Sequence, residues 1–174
     1  MGAPDVSLES PAVRWALVLT VVTAAQVSLV GDLSLFGVHP DLLLLLTVAA
    51  GLTGGPGRGV VVGFVVGVIA DLFLHTRFGV ATLASTLVGY AAGVAGDTVV
   101  RPSTPVWMAA TAGLSAIGTF LYAALAHLLG SQNLADPNLI AIVGIVSLVN
   151  AALCVPALAV CRWAGDDRSA VRIR

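Results

Sequence analysis

Lysine is absent from this 174-residue sequence, and only 10% of the residues are charged; a soluble domain carries about 25%. Eight arginines stand against nine acidic residues, and no basic tract exists that could grip a polynucleotide backbone. Nucleic-acid binding is set aside on that ground. Aromatic residues make up 6% of the chain, too few for an aromatic-lined solute pocket. The two cysteines, Cys154 and Cys161, lie on one predicted helix about 10.5 Å apart, beyond the roughly 7 Å that a disulfide tolerates, so they read as structural thiols. His39, His75 and His127 are scattered, and no H-E-x-x-H, P-loop or G-x-G-x-x-G pattern occurs. No metal or cofactor is expected. Ser115 sits in a Gly-Leu-Ser-Ala sequence, but the nearest intramembrane histidine, His127, is about 18 Å along the same helix, so no nucleophile–base pair forms. Asp71 and Asp97 sit at opposite depths and cannot act as a pair. The chain reads as a non-enzyme.

What is present is apolar: 58% of the residues are hydrophobic and the mean hydropathy is +1.01. Breaking the apolar runs at charge, Gly and Pro predicts an all-α integral membrane protein, one transmembrane domain over 1–174 with six transmembrane helices at about 14–31, 38–54, 59–75, 78–96, 106–129 and 139–161. The first run carries Asp5, Glu9 and Arg14 ahead of it and lacks a small-x-small cleavage site, so it reads as a retained span. The second run is short enough that a re-entrant half-helix is its alternative. Six crossings with both termini inside put Arg14, Arg58, Arg101, Arg162, Arg168, Arg172 and Arg174 in the cytoplasm and only Arg77 outside, which favours that topology by the positive-inside rule.

One pattern stands out. Gly55, Gly59, Gly63, Gly67, Asp71 and His75 recur every fourth residue, and Ala81, Ser85, Gly89, Gly93 and Asp97 do the same on the next run. Small residues at this spacing let membrane helices approach to backbone contact. The expectation is a tight hairpin packed through Gly59, Gly63 and Gly67 on one side and Ser85, Gly89 and Gly93 on the other. Asp71 falls about 9 Å inside the outer boundary. A carboxyl group at that depth must face the bundle, as a packing hydrogen bond, as an ion pair with Arg77, as a ligand or relay group, or as part of a docking face. Asn150 and Ser115 read as interhelical hydrogen-bonding residues. Pro40 and Asp41 suit the first turn of a helix, Pro because its missing N–H is not needed there and Asp because it faces the positive helix end.

These residues carry a resemblance. Pro40-Asp41 ahead of a leucine run, Gly55-Pro56 with Gly59, Gly63-Phe64-x-x-Gly67-x-x-x-Asp71-Leu72, Gly79 and Val88-Gly89-Tyr90 look like the rod-shape-determining MreD family of bacterial inner-membrane proteins. The resemblance spans about a third of the chain. It implies a non-enzymatic scaffold of the cell-elongation machinery, supporting peptidoglycan synthesis by associating with MreC and, through it, with MreB, RodA and a class B penicillin-binding protein. Pro40, Asp41 and Asp71 would then be partner-binding or bundle-organising residues. The family also resembles the substrate-binding subunits of energy-coupling-factor transporters in helical architecture, which makes a vitamin-binding membrane subunit the alternative reading.

Overall fold

A computed structural model describes residues 10–32, 41–73, 79–98, 103–130 and 139–165. The order is α1 (Pro11–Asp32), α2 (Leu42–Phe73), α3 (Val80–Thr98), α4 (Thr104–Leu128), α5 (Leu139–Ala152) and α6 (Cys154–Gly165). Local chemistry sets several ends. The Ser10 carbonyl accepts from the amides of Val13 and Arg14 as α1 begins, with Pro11 in the turn that spares an N–H. Helix α4 starts after Ser103 with a proline in its first turn. It stops at Gly130, whose φ of 87° brings its N–H onto the His127 carbonyl at 2.8 Å; a left-handed residue there satisfies an orphan carbonyl that a side chain would hinder.

Helix α2 is broken internally. Gly55 has φ 75° and ψ −179°, a conformation that glycine adopts without steric cost, and Pro56 follows, where no amide is needed. The two limbs, 42–54 and 56–73, fold back along each other. A Cβ added to Gly59 would lie 3.1 Å from the Gly51 Cα, and one added to Gly63 would lie 3.1 Å from Thr47 Cγ2. Helix α3 packs most extensively against this folded α2. Most of the first limb is buried, and its leucines and valines form the centre of the core with Val18, Val66, Val88 and Leu158.

The expected six-span architecture is corrected. Among the described residues, three helices are long and apolar enough to cross a bilayer: α1 over Pro11–Ser28, α2 and α4; the count is four if the bent pair α5 and α6 is one span. The runs expected as separate spans at 38–54 and 59–75 are the two limbs of α2, which qualify only together as one crossing segment. The first limb, at 1.5 Å per residue, is only about 20 Å long against a hydrocarbon core of about 30 Å. The run expected at 78–96 is α3, whose 19 residues include too many Gly, Ser, Thr and Asp side chains to qualify on apolarity. The run at 139–161 is not straight: α5 and α6 meet at 59°. Pro156 explains this bend, because it has no N–H for the Ala152 carbonyl and its ring crowds that oxygen. An architecture of three or four crossing helices is also not the six-span one expected by analogy with energy-coupling-factor subunits.

Candidate functional site: a glycine seam closed by a buried carboxylate

The second limb of α2 and helix α3 meet at backbone contact. A Cβ on Gly59 would collide with the Gly89 carbonyl, one on Gly63 with the Ser85 carbonyl, one on Gly67 with the Thr82 backbone and one on Gly93 with Pro56. The first limb joins them: a Cβ on Gly51 would lie 2.7 Å from both the Gly89 oxygen and the Ala92 Cβ, and one on Gly96 would lie 2.6 Å from the Leu52 oxygen. Three helical rods therefore share one seam. Close backbone approach gives dispersion and Cα–H···O contacts that replace the hydrophobic drive lipid does not supply.

Asp71 closes one end of the seam. It is 4% exposed, and its carboxylate faces the start of α3. Oδ1 accepts from the Ala81 amide at 3.0 Å. Oδ2 accepts from the amides of Gly79 at 2.9 Å and Thr82 at 3.0 Å, and from the Thr82 hydroxyl at 2.6 Å. These amides are the orphan donors of the α3 N-terminus, and an acidic side chain also meets the positive end of that helix. Four accepted bonds use about all the acceptor sites that a carboxylate offers. The arrangement leaves Asp71 a cap supplied by one helix to the next. Arg77, the expected ion-pair partner, and His75 lie outside the described residues.

Asp41 begins α2. Its Oδ1 accepts from the Leu44 amide at 2.8 Å and its carbonyl from the Leu45 amide at 3.1 Å, while the Leu42 amide donates to Gln26 Oε1 at 2.8 Å. Burial pushes the Asp41 carboxyl above the usual carboxylate range, opposed by the amides of Leu44 and Leu43. Pro40 and His39 lie outside the described residues. The structure thus gives Asp41 and Asp71 separate capping duties at the starts of α2 and α3.

Further polar contacts tie α4 to the bent pair. Asn150, fully buried, donates from Nδ2 to Ser115 Oγ at 3.0 Å, and Thr111 Oγ1 donates to Cys154 Sγ at 3.1 Å. Cys154 and Cys161 are free and buried.

Sequence reasoning missed the other end of the bundle. Arg14, only 3% exposed, donates to the Trp163 carbonyl at 3.2 Å and stacks over the Trp163 ring at 5.4 Å. Arg58 donates to the Gly165 carbonyl at 3.4 Å. Two arginines from α1 and α2 thereby serve the C-terminal carbonyls and negative dipole end of α6. Trp15, Trp107 and Trp163 stand in the terminal turns of α1, α4 and α6 at this end, as residues of an interfacial aromatic belt do. Positive charge in the first turns of α1 was readable in the sequence, but its burial against a helix that ends near residue 165 was not.

Among the described residues no group of three or more His, Cys, Asp or Glu side chains could hold a metal ion. The cavity enclosed between α2, α3 and α4 measures about 100 Å³, well below the roughly 300 Å³ at which small-molecule pockets begin.

The fold and these sites define a multi-pass α-helical membrane protein whose polar side chains cap and join helices. The family model for rod shape-determining protein MreD matches residues 10–135, and the chain belongs to that family. No curated protein and no solved structure matches it. Membership carries a non-enzymatic membrane scaffold role in rod-shape determination.

Proposed function

We propose that this chain acts in the bacterial inner membrane as the scaffold that holds MreC in the cell-elongation machinery and, through MreC, reaches MreB filaments, RodA and a class B penicillin-binding protein. The family match over residues 10–135 carries the reading. The polar geometry supports it, because Asp41, Asp71, Asn150 and Ser115 are all engaged in helix-to-helix or capping bonds. Pro40, Asp41 and Asp71 act in this reading by fixing the shape of the bundle end that faces out of the cell. Helix α1 adds a surface for association within the membrane: Ala12, Ala16, Thr20, Ala24 and Ser28, every fourth residue, are all exposed along the open grooves between α1 and the second limb of α2. Depleting the protein from a rod-shaped host is expected to give round cells, restored to rods by the wild-type chain; rods that persist after depletion contradict the proposal.

With the bent pair α5 and α6 taken as one span, the four crossings return the chain to the side it starts on, and both termini are proposed to be cytoplasmic. Arg14, Arg58 and Arg162 gather where α6 ends, and the positive-inside rule puts that end in the cytoplasm. A reporter fusion after Arg174 should report cytoplasm, and one after Ser131 should report periplasm. A periplasmic signal after Arg174 contradicts this orientation.

A further inference from the structure

An open groove of about 580 Å³ lies between α1 and the second limb of α2, within the size range of small-molecule sites. Most of it is apolar. Buried Val62 lies at its floor, with exposed Ala16, Val61 and Val65 beside it. From Gly57 to Val65 it runs about 12 Å along α2, at 1.5 Å per residue. One end differs: Arg58 and Trp15 line it, and both stand near the start of their helical limbs. Arg58 is half-buried and donates from Nη2 to the Gly165 carbonyl at 3.4 Å. A guanidinium carries five N–H donors, and this bond uses one.

Lipid supplies no hydrophobic drive to close such a groove, so its walls gain dispersion contacts only from something that fills it. An acyl chain has the shape and polarity to do so. The charged end then selects the headgroup. A phosphodiester accepts paired hydrogen bonds from a guanidinium, and an indole sits at headgroup level beside it. A zwitterionic headgroup carries its own ammonium, which competes with the guanidinium for the phosphate; an anionic one does not. We propose that this groove binds an anionic phospholipid, with one acyl chain along Val61, Val62 and Val65 and the phosphate on Arg58 beside Trp15. The seated lipid becomes part of the surface that α1 offers within the membrane. Anionic lipids charge the cytoplasmic leaflet, the side on which the orientation proposed above places Arg58. The binding test is read in detergent, where orientation does not enter, so the two readings fail separately.

The full chain, purified in detergent, is titrated with phosphatidylglycerol or with phosphatidylcholine of the same acyl chains, and bound lipid is counted by native mass spectrometry. The wild type is expected to retain one phosphatidylglycerol about five-fold more tightly than phosphatidylcholine, the factor that ~1 kcal/mol from one basic residue gives. Arg58→Gln keeps an N–H for the Gly165 carbonyl and should hold the two lipids equally. Gly57→Leu puts a branched side chain at the mouth of the groove, where a Cβ meets nothing within 4 Å, so the fold should survive and both lipids should bind several-fold more weakly. Equal retention of the two lipids by the wild type overturns the proposal. Binding left unchanged in Gly57→Leu overturns it as well, and that variant decides the matter if Arg58→Gln fails to accumulate. In native membranes a photoreactive side chain in place of Val65 should capture phospholipid. Capture of a partner's helix, or of residues 166–174 of this chain, gives the groove another occupant and overturns the proposal.

Discussion

Gly63→Leu and Gly67→Leu are expected to lower the amount of folded protein in the membrane several-fold. At both positions even a Cβ meets backbone of α3, the Ser85 carbonyl for Gly63 and the Thr82 backbone for Gly67. A neighbouring side chain can change rotamer, but a helix backbone must move bodily. Overpacking a tight core costs about 1–3 kcal/mol, and here the first limb of α2 loses its fit too, because Thr47 also lies against Gly63. Gly113→Leu is the control, since a Cβ there meets nothing within 4 Å. Quantitative immunoblotting of membranes at matched expression checks the comparison. Equal levels for all three variants would remove the seam as a structural element.

Asp71→Leu is expected to be as damaging as the glycine variants, with Asp71→Asn in between. Leucine leaves the amides of Gly79, Ala81 and Thr82 without their acceptor, and each buried donor left unsatisfied costs about 1–3 kcal/mol. Asparagine still accepts through one oxygen, but its NH₂ faces donors where the second carboxylate oxygen stood. Detergent-solubilised variants should unfold in the order Leu, Asn, wild type on heating. A ligand or relay role predicts another outcome: Asn and Leu equally inactive in restoring rod shape, with both as stable as wild type. That result would return Asp71 to the candidates for solute or proton chemistry.

How far the sequence could be read follows from where its signals are local. The four-residue recurrence of Gly59, Gly63 and Gly67 is visible because a helix repeats nearly every fourth residue. Gly51 stands four residues before Gly55 and so extends that recurrence, but it lies in the other apolar run, and Gly96 joins the seam out of register. Their role arises only when α2 folds back at Gly55 and brings its first limb onto α3. Asp71 was recognisable as a buried acid. Its donors lie eight to eleven residues further on, across a turn, whereas a search along its own helix pointed to Arg77. Counting apolar runs overstated the crossings, because a run too short to span can fold back along the next one and a run without a charge need not be straight. The Pro156 bend was readable from proline chemistry alone and went unread. Arg14 could not have been foreseen as buried, since its partner carbonyl lies 149 positions away.

Mild purification of the chain from its native membrane at native expression, with identification of the proteins and small molecules that accompany it, shows whether this bundle is a scaffold in rod-shape determination. MreC is expected to be recovered, with RodA and a class B penicillin-binding protein in lower amounts, and all three are expected to be lost in parallel with folded protein in Gly63→Leu. Recovery of a pair of ATPase subunits with a bound vitamin, and no MreC, would contradict it.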